Sequence, residues 1–314
     1  MTEMRLDHLS VQKLVEHSLA QASRVIVGKT ERIRLAFCCL LAGGHLLIED
    51  LPGVGKTTLS QVLARLLGLE FNRIQFTSDL LPADITGASI YNKESGEFVF
   101  QPGPVFTQVL LADEINRATP KAQSALLEAM EEGQVTVDGQ TWKLPSPFFV
   151  IATQNPSHHI GTFPLPESQL DRFMMCIDLG YPSNQAEREI LKGRDRREIL
   201  KELSPVLSRD QLRAVQAAIK QVHAADAVIE YLQALVDHTR HHMEFGHGIS
   251  TRGALAMINA ARAWAYLDGR LHLLPEDVQA VFPGILFHRL RPPTGSPAGL
   301  NDWAQTIIQK VALP

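Results

Sequence analysis

Short apolar runs punctuate the first half of the chain, and polar turns and amphipathic stretches separate them. Segments 46–49, 109–113, 148–153 and 174–179 are nearly continuous in apolar residues, as buried strands are, and 71–76, which mixes polar with apolar residues, is a further candidate strand. Segment 59–67 has helical character. Strand-like and helical segments alternate up to about residue 181, which predicts a mostly parallel sheet with helices on its faces. Beyond Gly180-Tyr-Pro182-Ser183 the pattern turns helical, with helices expected over 208–224, 226–242 and 251–268. In the last of these Leu255, Ile258, Ala261 and Ala265 share one face. Pro275 opens a further helix, with proline in its first turn and Glu276 and Asp277 beside it. The chain therefore reads as an α/β core over 1–181, including an N-terminal helix and linker over 1–28. A small all-helical domain over 182–314 follows across a short Pro/Ser hinge. Two hairpins interrupt the core, one over 91–100 around Gly96 and one over 134–142 with Asp138-Gly139 at its turn.

One strand end carries chemistry. Leu46-Leu-Ile-Glu-Asp50-Leu-Pro52-Gly53-Val54-Gly55-Lys56-Thr57-Thr58 is a strand, a Pro/Gly turn and a helix start in succession. Backbone N–H groups at such a turn face phosphate oxygens, the lysine reaches the outer phosphates and the hydroxyl ligates Mg²⁺. Asp50 stands where the generic motif has its first glycine, and aspartate tolerates unusual backbone angles, so the turn is retained. A second strand, 109–113, ends in Asp113-Glu114. With a phosphate loop upstream, Asp113 is expected opposite Thr57 as a Mg²⁺ ligand and Glu114 as the group that polarises water. Without that loop the two acids would read as a helix cap. The expected ligand is ATP with Mg²⁺, and the adjacent glutamate favours hydrolysis over passive binding.

Composition narrows the class. The chain has 314 residues, 45% hydrophobic and 20% charged, enough for two domains with their own cores. A net charge of -4 gives no basic field for nucleic acid. No apolar run reaches the roughly 18 residues of a membrane span, and the start is not that of a secretion signal. A cytoplasmic protein is expected. Cys38, Cys39 and Cys176 form neither a disulfide framework nor a zinc spacing, and the first two read as small buried hydrophobes. His238, His241, His242 and His247 are close in sequence, but no evident ligand set completes them as a metal site.

The chain resembles the AAA+ ATPases and, within them, the MoxR family of the helix-2-insert branch. The resemblance rests on the phosphate loop with its Glu49-Asp50 lead-in, Leu111-Ala-Asp113-Glu114-Ile-Asn-Arg117-Ala, Arg73-Ile-Gln-Phe-Thr-Ser-Asp-Leu-Leu-Pro82-Ala-Asp84-Ile-Thr-Gly87, Ala152-Thr-Gln-Asn155-Pro, Gln169-Leu-Asp-Arg172-Phe and Ser250-Thr-Arg252. It implies a P-loop AAA+ core followed by a helical lid, and Asn155 as the sensor that orients the attacking water. Arg172 is implied as an arginine finger acting on a neighbouring subunit, the alternative being an internal ion pair with Asp171 or another acid. Arg252 is implied as a second sensor reaching the γ-phosphate from the lid. Val27 and Gly28 resemble the adenine-side segment. A homo-oligomeric ring of six is implied, with chaperone-like maturation of partners such as von Willebrand factor A domain proteins. In ring-shaped relatives the two hairpins face the pore or the substrate side; otherwise they are surface hairpins, with Trp142 packed on the core. Two other readings stand beside this one: a nucleic-acid motor and a nucleotide-gated scaffold without catalysis.

Overall fold

The computed structural model describes residues 8–155, 161–241, 247–290 and 300–313. They form α1 (His8–Val25), α2 (Thr30–Leu41), β1 (Leu46–Glu49), α3 (Lys56–Leu66), β2 (Phe71–Gln75), α4 (Pro82–Thr86), β3 (Gly87–Asn92), β4 (Glu97–Pro102) and β5 (Val109–Asp113). After a 3₁₀ turn at Ile115–Arg117 come α5 (Pro120–Glu132), β6 (Gln134–Val137), β7 (Gln140–Lys143), β8 (Phe149–Gln154), α6 (Glu167–Leu170) and β9 (Met175–Ile177). The helical part comprises α7 (Asn184–Lys192), α8 (Arg196–Glu202), α9 (Arg209–Lys220), α10 (Asp226–His241), α11 (Thr251–Leu267), α12 (Pro275–Leu286) and α13 (Leu300–Lys310).

The central sheet has the order β2-β5-β8-β1-β9, and every pairing in it is parallel. All five strands therefore end on one edge of the sheet. Strand alternation divides the core in two. Leu46, Ile48, Val109, Leu111, Phe149, Ile151, Met175 and Ile177 face α1, α2, α3 and the helical domain. Their neighbours Leu47, Leu110, Ala112, Val150, Ala152 and Cys176 face α5 and the loops beside it. Burial on both faces is why these strands carry unbroken apolar runs. Cys38 and Cys39 are buried with the first group, and Cys176 with the second.

The predicted strands and long helices are present, with ends displaced by a few residues. The 208–224 helix stops at Lys220, because His223 leaves the helix to bridge His272. On α11 the buried face is Gly253, Ala256, Met257, Ala260 and Ala261, while Leu255 is 59% exposed. The predicted apolar stripe is thus turned: α11 packs closely on α12 and α2 through small side chains, and the larger Leu255 is left outside. Among the described residues no helix is long and apolar enough to cross a membrane, and no cluster of three or more His, Cys, Asp or Glu is arranged to hold a metal. His242 lies outside the described residues.

The hairpins β3–β4 and β6–β7 are antiparallel pairs outside the central sheet. Trp142 of β7 stacks on Phe100 of β4 with ring centroids 4.5 Å apart, joining the two hairpins and packing against the second core. Ile90, Tyr91, Phe98 and Val99 at the first hairpin's tip are all at least half exposed.

Two histidines, His45 partly buried and His288 fully so, set a pH dependence. The amide of Val150 donates to His45 Nδ1 (2.9 Å), so the proton sits on Nε2 and is donated to the Met130 carbonyl (3.2 Å). Burial pushes the His45 pKa down to about 4. His288 is only 3% exposed and donates from Nε2 to the Phe173 carbonyl. Burial, together with the neighbouring Arg289, holds it well below the usual histidine range. Both rings stay neutral when folded yet titrate near 6.5 when unfolded, so the unfolded chain binds more protons below that pH. Their contribution is complete above about pH 6.5 and falls as pH drops below it, for His45 down to about 4, by at most about 1.4 kcal/mol per pH unit for each ring. Urea unfolding at pH 7.5 and pH 5 reads this out. His45→Gln, which offers an acceptor and a donor but no titratable ring, is expected to lessen the slope, and an unchanged slope would remove His45 from the account.

Candidate nucleotide-binding site

The loop between β1 and α3 lies at the sheet edge where all strands end, a usual place for ligands in parallel α/β sheets. Gly53 (φ 84°) and Gly55 (φ 100°) hold backbone angles that side-chain-bearing residues rarely adopt. Pro52 and Val54 complete the loop. Gly55 is the N-cap of α3 and supplies no side-chain cap, so the helix's first N–H groups and the positive end of its dipole remain open to an anion. Thr57 and Thr58 follow Lys56 in the first turn.

Asp50 serves a purpose other than backbone tolerance. Among described non-glycine residues only Glu114 and Asp138 have positive φ, so Asp50 lies in ordinary backbone. Its carboxylate is 6% exposed and accepts from three amides: Leu51 (2.7 Å), Leu179 (2.5 Å) and Gly180 (2.6 Å). It fastens the start of the phosphate loop to the segment that leads into the helical domain. Lys29 Nζ donates to the Tyr181 carbonyl in the same segment (2.8 Å). The predicted hinge is therefore tied down at both ends of its first turn.

Lys56 is 8% exposed. Its Nζ donates to the carbonyls of Asp50 and Leu51 and to Asn155 Oδ1 (2.8 Å). Burial draws its pKa below the usual lysine range, and Asp50, Asp113, Glu114 and Glu49 oppose that shift. Asn155 Nδ2 in turn donates to Glu114 Oε1 (3.3 Å), so one amide joins the loop lysine to the candidate base. Glu114 stands at φ 57°, ψ 49°, a left-handed conformation unfavourable for glutamate and a common mark of functional positions. Gln75 Nε2 donates to Glu114 Oε2 (2.8 Å), and Arg117 pairs with the same oxygen (3.1 Å). Asp113 accepts from Thr153 Oγ1 on one oxygen (2.6 Å) and from Arg73 on the other (2.7 Å). Thr153 also accepts from the Glu114 amide (2.9 Å), which locks the two acids together. The Asp113 carboxylate and the Thr57 hydroxyl are hard oxygen donors, the kind that Mg²⁺ takes alongside phosphate and water.

Val27 and Gly28 follow α1 between the phosphate loop and α7. A Cβ built on Gly55 would lie 4.0 Å from the Ile26 side chain, and one on Gly28 would come within 2.9 Å of the Ala186 Cβ. The segment thus borders the loop on one side and the helical domain on the other.

The two remaining arginines stand apart from the Lys56 network. Arg172 donates to the Leu127 carbonyl (2.6 Å) and pairs with Glu131 Oε2 (2.9 Å), so its acid partner is Glu131 and not Asp171. Arg252, in the first turn of α11, pairs with Glu131 Oε1 (2.7 Å). One carboxylate holds both arginines and also offsets the positive end of the α11 dipole. Arg252 is thereby grouped with Arg172 and not with the loop of its own chain. Thr153, Arg73, Gln75 and Glu131 carry no role in the sequence reading. Arg73, Gln75 and Thr153 lie in quoted motifs, but their contacts arise only once β2, β5 and β8 are neighbours.

Residues 45–175 match the family model "ATPase family associated with various cellular activities (AAA)", and residues 237–311 match the AAA lid domain. The uncharacterised protein YeaC of Bacillus subtilis is 47% identical over 283 residues, covering 90% of this chain and 87% of its own. Chaperone MoxR1 of Mycobacterium tuberculosis is 42% identical over 285 residues, covering 88% of this chain and 75% of its own. Protein MoxR of Methylorubrum extorquens is 32% identical, with 86% of this chain and 85% of its own covered. A crystal structure of a candidate ATPase from Cytophaga hutchinsonii superposes with a TM-score of 0.86 at 35% identity, covering 98% of this chain and 97% of that one. An α/β core with a phosphate loop, a helical lid and this degree of likeness place the chain in the MoxR family of AAA+ ATPases.

Proposed function

We propose that this chain hydrolyses ATP with Mg²⁺ in a homo-oligomeric ring, of six subunits by family resemblance, and uses the cycle to remodel or mature partner proteins. The observation that carries the reading is the chain Lys56–Asn155–Glu114, set beside an uncapped helix N-terminus. The loop amides and Lys56 take the phosphates, with Val27 and Gly28 on the base side. To do so Lys56 exchanges its present partners, Asn155 among them, for phosphate oxygens. That exchange frees the Asn155 carbonyl to orient water at Glu114, which accepts its proton as water attacks the γ-phosphorus and ADP leaves. Thr57 and Asp113 would hold Mg²⁺, which when bound neutralises charge on the phosphate oxygens. Arg172, and Arg252 with it, serve the nucleotide of a neighbouring subunit, since they share Glu131 and stand outside the Lys56 network. A planar cationic fork suits the spread charge of the transferring phosphoryl group.

Chaperone-like action rests on the MoxR relatives, one of which is named a chaperone. A von Willebrand factor A domain protein is the partner class the family suggests. The exposed Ile90, Tyr91, Phe98 and Val99 offer apolar surface for a client, and the cytoplasm is the compartment the reading implies. A nucleic-acid motor is disfavoured by the net charge of -4, and the ordered Glu114 disfavours a purely gated scaffold.

The test is ATPase rate against protein concentration, with mass followed by light scattering. Specific activity is expected to rise as the protein assembles. A rate per chain that stays constant across assembly would place the whole active site within one subunit.

A further inference from the structure

Arg172 is preceded by Asp171, and Asp171 is where the helical domain meets the core. Arg289, three residues beyond the end of α12, is 4% exposed in its side chain. Its guanidinium donates to Asp171 Oδ1 (2.7 Å) and to the carbonyls of Asp171 (3.3 Å), Phe173 (2.9 Å), Met174 (3.2 Å) and Ile285 (2.9 Å). All five N–H donors are thereby used, and three of the carbonyls flank Arg172. His288 adds a bond to the Phe173 carbonyl. The second oxygen of Asp171 accepts from Ser250 Oγ (2.8 Å), and the same hydroxyl caps α11 by accepting from the Gly253 amide (3.0 Å). Arg252 sits two residues beyond that cap.

These contacts close a circuit. From Asp171 it runs along the backbone to Arg172, across Glu131 to Arg252, back through the first turn of α11 to Ser250, and so to Asp171 again. Long, rotamer-rich side chains are ordinarily costly to hold in one geometry. Here each arginine is fixed from two directions, by its backbone and by a shared carboxylate. The buried ion pair fixes the backbone in turn, since a fully bonded guanidinium leaves little freedom to residues 171–174.

We propose that Asp171 is a positioning residue: through Arg289 and Ser250 it presents Arg172 and Arg252 as one rigid pair to the nucleotide of a neighbouring subunit. The helical domain then sets the aim of both arginines, and a shift of the lid carries them together. This inference rests on the shared-site reading above.

The test separates the two. Asp171→Asn keeps the shape and an acceptor for Ser250 but removes the charge opposite Arg289. In the assembled full-length protein its kcat is expected to fall about a hundredfold, the scale of an ångström-sized misplacement. KM and binding of a fluorescent ATP analogue stay as in the wild type, because only a transition-state contact is lost. An equal mixture with Glu114→Gln is expected to regain activity. In mixed rings the intact arginines of Glu114→Gln subunits serve the intact loops of Asp171→Asn subunits, which a locally damaged nucleotide site would not allow. Arg172→Ala mixed with Glu114→Gln is run beside it. If Arg172→Ala is rescued and Asp171→Asn is not, Asp171 acts within its own subunit and the inference fails, while the shared site stands. If neither is rescued, the shared site itself fails and takes the inference with it. Full activity of Asp171→Asn alone also overturns the inference. Should that variant not assemble, Arg289→Lys, which keeps the charge but loses the fork, is read by the same outcomes.

Discussion

Arg172→Ala is expected to lower the ATPase rate of the assembled protein about a thousandfold, the lower end of the range for an arginine that stabilises phosphoryl transfer. ATP affinity should be nearly unchanged, because Lys56, the loop amides and the α3 N-terminus are untouched. Loss of fold does not account for such a drop. The Arg172–Glu131 pair is partly exposed, at 30% and 39%, so its removal costs about 0.5 kcal/mol. Steady-state rates and titration with a fluorescent ATP analogue on the same preparation decide the matter. If binding collapses together with turnover, Arg172 belongs to the nucleotide site of its own chain or to the fold.

Glu114→Gln is the second large effect, a fall of about a thousandfold in turnover with ATP still bound. The glutamine side chain keeps the shape and one acceptor, enough for the bond from Gln75 or the one from Asn155, so the change to the surroundings is small. What it cannot do is take a proton from water. Single-turnover measurement with excess protein isolates this step from product release. A variant that still cleaves ATP at the wild-type rate would move the base elsewhere.

The site was legible where its chemistry is local in sequence and obscure where it depends on which strands become neighbours. The phosphate loop and Asp113-Glu114 are contiguous motifs, and both lie at strand ends as their patterns imply. β1, β5, β8 and β9 were equally plain, since burial on both faces demands unbroken apolar runs, whereas β2 at the sheet's edge mixes polar with apolar residues. Arg73 and Gln75 on β2, and Thr153 on β8, meet the two acids only because β5 lies between those strands. No spacing in the chain announces that order. The left-handed Glu114 backbone is likewise invisible, glutamate being an unusual residue for it. Glu131 was hidden because it reads as one of several acids at the end of α5. Leu255 was misplaced because hydrophobicity alone assigns leucine inward, whereas a close helix contact selects alanine and glycine. Asp50 was placed correctly in the loop but for the wrong reason: its side chain matters, not its φ.

That carboxylate makes the join between phosphate loop and lid linker genetically lopsided. All three of its donors are backbone amides, which every residue but proline possesses. The side chain of Leu179 takes no part in the bond and is free to drift as far as its own packing allows. The whole tether is inherited through a single codon, the one for Asp50. A sequence change there would release a bond between two parts of the molecule that lie some 130 positions apart, and would do so from within the phosphate-loop motif itself.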